Sequence, residues 1–181
     1  MQGNFSHGGG GYLDELKSYV VARLLRNDSK PLNELIEEFC INYYGKEGSK
    51  YIIDYINLWE QQVKDYDLWL YDDADSLMFN DDVINKSFDL LNKALHLTTI
   101  KEQKNRIEKL LLGVEYLYLV RLDLNYPNRD SLIDQFKEKL LKHKITEIFE
   151  RTSLDYSIDV MKKSQYAKER KDWYSLYYIM R

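Results

Sequence analysis

Residues that could contact a ligand concentrate at the start of the chain and in one acidic connection. Gln2, Asn4 and His7 are polar side chains among glycines, and such small residues let backbone approach a ligand closely. The same composition also fits an unordered lead-in without a ligand. Trp69 and Tyr71 alternate with aspartates in the second segment, where flat aromatic faces suit stacking on sugar rings. These five residues are the candidate binding residues of the sequence.

The sequence contains no complete set of residues for catalysis or for metal binding. Asp73 and Asp75 have the spacing of the first two ligands of an EF-hand calcium loop. However, Met78 stands where that loop needs the glycine of its sharp turn, and Ile84 stands where it needs a bidentate glutamate. His96 and His143 lie on separate segments, with no partner at a metal-ligand spacing such as i, i+4. We therefore expect no metal, no cofactor and no self-sufficient active site.

Composition argues against two classes of partner. The 181 residues carry a net charge of −4 with a pI near 5.5, whereas phosphate binding requires a clustered excess of Lys and Arg. No apolar run approaches the roughly 20 residues that a bilayer span needs. We expect neither a nucleic-acid partner nor a membrane span. The single cysteine, Cys40, falls in a helical apolar pattern, which predicts a buried free thiol.

Apolar residues recur at three- and four-residue spacing along most of the chain, which predicts amphipathic helices. The first three stripes are Leu13, Leu16, Val20 and Leu24; Leu32, Leu35, Ile36, Phe39 and Tyr43; and Ile52, Tyr55, Ile56, Trp59 and Val63. The next three are Val83, Ile84, Phe88, Leu91 and Leu95; Ile107, Leu110, Leu111, Val114 and Leu117; and Leu132, Phe136, Leu140, Ile145 and Phe149. One or two further helices follow Thr152. About six to eight helices joined by short turns predict an all-α fold, an antiparallel helical bundle or array.

Capping residues predict where several of these helices begin and end. Gly45 predicts the end of the second helix, because glycine adopts the positive φ of a helix stop. Ser49 and Asn80 predict the starts of the third and fourth helices. Thr99 with Glu102 has the spacing of a capping box before the fifth helix.

Three further local signals lie in the second half of the chain. Gly113 interrupts the long fifth helix and predicts a close contact with another helix. The sequence NYPN at residues 125–128 predicts a turn. Ser131 with Asp134 predicts the start of the sixth helix.

The beginning of the chain resembles a bacterial family. The segment QGNFSHGGGG runs into LDELKSYVVARLLRNDSKPLNELIEEFCINYYG. This is similar to the pattern of domain-of-unknown-function family 4838, a helix reading "eLraYllakLlWnp", a short hinge, and then "LideFl..yYG". The matching positions are Leu16, Tyr19, Leu24, Leu25, Leu35, Ile36, Phe39, Tyr43, Tyr44 and Gly45. Arg26 stands where the family commonly has Trp, and the similarity extends from Gln2 to Trp59.

The resemblance implies that this chain belongs to a larger protein. Related helical arrangements follow the catalytic barrel of α-glucuronidase-like and hexosaminidase-like glycoside hydrolases, so a (β/α) barrel with the reactive carboxylates is expected before Gln2. Residues 1–11 would be the end of that barrel, beside its sugar site, and residues 12–181 the helical domain. The parent protein is expected to be exported. The helical domain should expose an apolar patch where the barrel packs.

Three functions remain open from the sequence. The first is a non-catalytic helical domain that supports the upstream barrel of a carbohydrate-active protein, whose ligand would be an oligo- or polysaccharide. The alternative is a stand-alone helical module that binds a protein or glycan in a groove with Trp69 and Tyr71 at its rim. The third is a small enzyme that uses acids of the connection from Asp72 to Asp82, which predicts turnover by the isolated chain.

Overall fold

Seven α-helices and one short 3-10 helix make up the described part of the chain, which contains no β-strand. The computed structural model describes residues 13–26, 29–64, 66, 77–148 and 152–163. The α-helices are α1 (Asp14–Leu25), α2 (Leu32–Tyr44), α3 (Lys46–Lys64), α4 (Asp81–Leu97), α5 (Lys101–Arg121), α6 (Arg129–Lys142) and α7 (Leu154–Lys163). The 3-10 helix, Leu77–Phe79, precedes α4. The predicted all-α fold is confirmed.

Consecutive helices pack against each other as antiparallel pairs. Near the start of α1, Glu15 accepts a hydrogen bond from Tyr43, which lies near the end of α2. At the start of α4, Asp81 pairs with Arg121 at the end of α5. Because α2 also contacts α5, the array closes around a shared core.

A single residue, Gly45, joins α2 to α3. Its φ of 98° lies in the region that residues other than glycine rarely adopt, and it ends α2 as predicted. Since α3 begins immediately at Lys46, the predicted start at Ser49 is wrong. Ser49 lies within the first turn instead, where its hydroxyl donates to the Lys46 carbonyl.

The closest approach of α3 to α4 lies at Gly48. A Cβ atom at this position would lie 2.7 Å from Thr98 Oγ1 and 3.0 Å from the carbonyl oxygen of Ala94. The Thr98 hydroxyl already donates to that carbonyl at 2.8 Å. Glycine is therefore required at residue 48 by the packing of the two helices.

The predicted start of α4 is confirmed, whereas that of α5 is wrong. The side chain of Asn80 accepts a hydrogen bond from the Val83 N–H at 3.0 Å, as an N-cap does. The N-cap of α5 is Ile100, without a side-chain hydrogen bond. Thr99 therefore lies one position too early to form a capping box with Glu102.

The turn before α6 forms as predicted, but the helix begins earlier than the sequence indicates. The Tyr126 N–H donates to the Asp123 carbonyl at 2.9 Å within the turn. Asn128 then adopts the left-handed conformation at the N-cap, and α6 begins at Arg129. Ser131 is therefore inside the helix rather than at its start.

The core centres on α5, which has apolar side chains buried on several sides. These are Ile107, Leu110, Leu112, Val114, Tyr116, Leu117, Leu119 and Val120. Cys40 is buried and free, as predicted. In contrast, Leu24, Leu32 and Val63 were predicted as core but are exposed. They lie near helix ends, where the neighbouring helices do not extend far enough to cover them.

Several sequence predictions lie outside the described residues. These are the connection at residues 67–76, the lead-in at residues 1–11, Phe149 and the helix pattern after Lys163. Met78 and Phe79, at the end of the connection, are buried in the core. No helix of the described chain combines the length and apolar character that a membrane span requires.

Candidate functional site

The five predicted binding residues all lie outside the described part of the chain. They are Gln2, Asn4, His7, Trp69 and Tyr71. Their role stays a prediction, and a site must be sought among the described residues. Two surfaces there have the features of binding sites, one polar and one apolar.

A groove of about 600 Å³ runs over α5 between α4 and α6. This volume falls within the range of about 300–1,000 Å³ that is typical of small-molecule sites. We call it the polar groove. Its lining residues are Asn85, Phe88, Asn92, Glu108, Leu111, Leu112, Glu115, Tyr118, Lys139, Lys142 and His143. One helix thus supplies amides, the second carboxylates and the third cationic groups.

Two carboxylates of α5 lie along the floor of the polar groove. Glu108 and Glu115 are seven residues apart, which places them on the same helix face about two turns from each other. Each is paired with a lysine of α6: Lys142 Nζ lies 2.9 Å from Glu108, and Lys139 Nζ lies 2.6 Å from Glu115. The side chains of the acids are 20–29% exposed and those of the lysines 50–63%. The acids are therefore recessed and the lysines stand at the rim.

The ion pairs keep Glu108 ionised. Burial alone would raise the pKa of this carboxyl, but the hydrogen bond and charge of Lys142 outweigh it. His143 adds to the effect, with its Nε2 atom 3.0 Å from the carboxylate. The pKa of Glu108 is therefore below its ordinary value. At neutral pH this group accepts hydrogen bonds and does not donate a proton.

Aromatic side chains and amides line the other side of the polar groove. Phe88 and Tyr118 pack edge to face, with ring centroids 6.1 Å apart. A hydrogen bond to Tyr126, together with burial, raises the pKa of Tyr118. Asn85 and Asn92 lie on α4 with exposed side chains. The groove therefore combines a fixed apolar surface with accessible donors and acceptors.

The arrangement suits binding better than hydrolysis. A two-carboxylate glycosidase needs one carboxyl that holds its proton and a second that is ionised. Glu108 has a lowered pKa, and Glu115 has a lysine on its carboxylate. Glu108, ion-paired and with a lowered pKa, is therefore not suited to the role of the acid that holds its proton.

A second candidate surface is apolar and is formed by the exposed side of α1 with the start of α2. We call it the α1–α2 apolar surface. It consists of Val21, Leu24, Leu25 and Leu32, which are 46–59% exposed. Residues 21, 24 and 25 share one face of α1 because they follow three- and four-residue spacing. Single exposed apolar residues need no explanation, but a contiguous group of them marks a contact site.

Glu38 fixes the orientation of α1 that leaves this surface exposed. Its carboxylate accepts hydrogen bonds from the Tyr19 hydroxyl and Arg23 Nη1, each at 2.9 Å, and from Lys30 Nζ at 2.6 Å. Tyr19 and Arg23 are one turn apart on the side of α1 that faces α2. Because the side with Tyr19 and Arg23 is bound to α2, the apolar face of residues 21, 24 and 25 is directed away from α2.

A smaller apolar groove lies beside α1. Its volume is about 280 Å³, and it is lined mainly by α1, α3, the 3-10 helix and α5. Trp59 packs on Phe79 in this groove, with ring centroids 5.8 Å apart. The indole Nε1–H of Trp59 is buried and has no hydrogen-bond partner among the described residues. Gly113 of α5 also lines the groove, together with Leu13 beside α1, and the close helix contact predicted at Gly113 stays a prediction.

The sequence contains a signal for the polar groove, a seven-residue spacing of polar side chains, which an analysis of apolar spacing does not detect. Asn85 with Asn92, and Glu108 with Glu115, both repeat at seven residues and so mark one polar face on each of two helices. Such a face ordinarily lies in solvent. Only the packing of α4 and α6 on either side of α5 turns these faces into a groove.

No group of three or more histidine, cysteine or acidic side chains that could hold a metal ion occurs among the described residues. His96 is exposed on α4, and His143 ends α6 beside Glu108. No protein family, curated protein or solved structure matches the chain in the comparisons. The resemblance to family 4838 therefore remains an expectation.

Proposed function

We propose that the chain is a non-catalytic helical domain from the C-terminal side of a carbohydrate-active, glycoside-hydrolase-like bacterial protein. In this proposal the α1–α2 apolar surface packs against a catalytic barrel that precedes α1. The exposure of that surface is the observation that supports the proposal most strongly.

The energetics of α1 favour a partner. Full burial of a valine or leucine side chain contributes about 1.5–3 kcal/mol. Within the described fold, Leu16 is the one buried residue of α1 and Tyr19 and Val20 are partly buried, while three of its apolar side chains are exposed. A partner that covers these three side chains would stabilise α1 further. The helix thus has the properties of an interface element.

The position of the surface also suits a preceding domain. The chain before Leu13 leads directly into α1, the helix that carries most of the surface. A domain joined on that side is held close to the surface, and a short connection raises its effective concentration there. A contact of moderate intrinsic strength would therefore be occupied.

The family resemblance covers the same elements. The similarity from Gln2 to Trp59 includes α1, α2 and most of α3. Leu24 and Leu25 match the family pattern, yet the fold of this chain leaves both exposed. An apolar residue at such a position is expected where another domain covers it.

The charge pairing in the polar groove suits a binding surface, and it fits the proposed non-catalytic role. The carboxylates of the polar groove are ion-paired, and the pKa of Glu108 is lowered rather than raised. The reactive carboxylates would then belong to the barrel.

The mass of the native gene product tests the proposal. An antibody against this chain, used on an immunoblot of the source organism, should detect a band far larger than the chain's 21.7 kDa. A band at 21.7 kDa would contradict the proposal and favour the alternative function.

The alternative is a stand-alone helical module that binds a protein or glycan. The polar groove favours it, because a domain that only supports a barrel does not need such a groove. In this alternative Trp69 and Tyr71 lie at the rim of the binding site, so replacing both with alanine should abolish binding without loss of helical circular dichroism. Unchanged binding would remove these two residues from the site.

A further inference from the structure

We infer that the polar groove binds a neutral, polyhydroxylated ligand, a short saccharide. This inference is independent of the proposed contact between the α1–α2 apolar surface and a barrel. It rests on the charge balance of the groove, its hydrogen-bonding groups and its apolar floor.

The charges of the groove cancel locally. Glu108 and Glu115 contribute two negative charges, and Lys142 and Lys139 contribute two positive charges, each within 2.9 Å of its carboxylate. His143, whose Nε2 atom lies 3.0 Å from Glu108, adds a positive charge only when it is protonated. An anionic ligand would have to displace a carboxylate from its lysine, and a cationic ligand would displace the lysine. A neutral ligand can bind without breaking either pair.

The pairs leave hydrogen-bonding capacity for hydroxyl groups. A carboxylate has about four acceptor positions and an ammonium group has three donors. The contact of Glu115 with Lys139, and those of Glu108 with Lys142 and His143, therefore leave positions open. Asn85 and Asn92 add amides that both donate and accept, from the opposite wall. A hydroxyl group also donates and accepts, which makes a polyol the matching ligand.

The apolar part of the groove suits the carbon face of a sugar ring. Leu111 and Leu112 lie on the floor, and the edge-to-face pair of Phe88 and Tyr118 lines the same groove. The Tyr118 ring packs edge to face on Phe88, so this aromatic surface is formed within the fold itself. A preformed aromatic surface reduces the entropy cost of binding.

The same features disfavour an apolar helix as the occupant. An apolar helix seated in the groove would cover both ion pairs and remove them from water. Desolvation of paired charges costs several kcal/mol per ion, and an apolar partner offers nothing to offset it. Small polar ligands leave the rim lysines, Lys139 and Lys142, in solvent.

An NMR titration of the isotopically labelled chain tests the inference. The probes are neutral trisaccharides of glucose, xylose and mannose, with a sulfated trisaccharide as the anionic comparison. We expect at least one neutral trisaccharide to shift the side-chain amide signals of Asn85 and Asn92. Asn92→Ala should raise its Kd about tenfold, because two hydrogen bonds are lost from an exposed residue that does not hold the fold.

Asn105→Ala is the matched control, since Asn105 is an exposed amide on α5 outside the groove lining. It should leave the Kd unchanged. The inference is overturned if no neutral trisaccharide shifts these signals, if Asn92→Ala binds as tightly as the wild type, or if only the sulfated trisaccharide binds. The experiment uses this chain alone, so a failure of the proposed barrel contact would not alter its result.

Discussion

Glu38 accepts three hydrogen bonds, and its surroundings make stability depend on pH. The hydrogen bond from Lys30, then those from Tyr19 and Arg23, lower its pKa from an ordinary 4.5 to about 2. A carboxyl whose pKa is lowered by folding stabilises the native state above its unfolded pKa. This stabilisation is lost as the pH falls from about 4.5 through 2.

We therefore predict that Glu38→Gln lowers the free energy of unfolding at pH 7 and that the difference from wild type shrinks below pH 4.5. Urea unfolding at several pH values, followed by circular dichroism, measures the difference in the free energy of unfolding between the two proteins. Glu37→Gln is the control, because the neighbouring Glu37 is exposed and lies outside this cluster. Equal pH profiles for wild type and Glu38→Gln would contradict the assignment.

Trp59 provides a second prediction at the scale of one residue. The side chain is half-buried, so Trp59→Ala should cost less than the about 3–5 kcal/mol of a fully buried aromatic residue. Trp59→Phe should cost less than about 1 kcal/mol, since it keeps a ring against Phe79 and removes a buried N–H without a described partner. Urea unfolding of both variants measures the difference. A loss for Trp59→Phe as large as that for Trp59→Ala would contradict this, because the stabilisation would then come from the indole N–H rather than from the ring contact.

The sequence predicted a helix start correctly where the capping interaction involves only neighbouring residues. Asn80 caps α4 because its side chain reaches an N–H three residues on, and no other element takes part. The capping box predicted at Thr99 does not form, because the neighbouring Thr98 is buried against α3 and ends α4 there. The start of α5 thus depends on packing between helices, which spacing along the chain does not reveal.

At the scale of the element, two glycines in helices have opposite roles. Gly48→Ala should destabilise the protein by about 1–3 kcal/mol, because the new Cβ would overlap Thr98 Oγ1 at 2.7 Å. Gly113→Ala should stabilise it by up to about 1 kcal/mol, since alanine favours the helix and Gly113 borders open grooves. Thermal and urea unfolding measure both. Destabilisation by Gly113→Ala would instead support the close helix contact that the sequence predicts at Gly113.

Helix existence was predictable, whereas the extent of burial along each helix was not. The three- and four-residue spacing identified α1 to α6 correctly. It also placed Leu24, Leu32 and Val63 in the core, although each is exposed. Periodicity reports which face of a helix is apolar, and only the neighbouring helices decide how much of that face is covered. Two of these three residues, Leu24 and Leu32, belong to the α1–α2 apolar surface.

At the scale of the whole molecule, the all-α array follows from the sequence but the candidate site does not. The seven α-helices of the described residues, most of them joined by short connections, leave few ways to pack, which made the architecture predictable. The polar groove needs side chains from three helices at once. No single segment contains a signal for their convergence, and the residues that the sequence favoured, such as Trp69, lie outside the described chain.

The central claim is that another domain covers the α1–α2 apolar surface in the native protein. Thiol labelling tests it most directly, because the single native cysteine, Cys40, is buried and burial raises its pKa to about 12. Leu25→Cys introduces a thiol in the surface, and Leu141→Cys introduces one of similar exposure on α6. Both variants are compared in this chain alone and in the full gene product.

In the chain alone we expect both thiols to react rapidly with a maleimide reagent. In the full gene product we expect Leu25→Cys to be protected while Leu141→Cys still reacts at its earlier rate. Equal reaction rates for Leu25→Cys in the two proteins would contradict the account, because the surface would then be free when every domain is present.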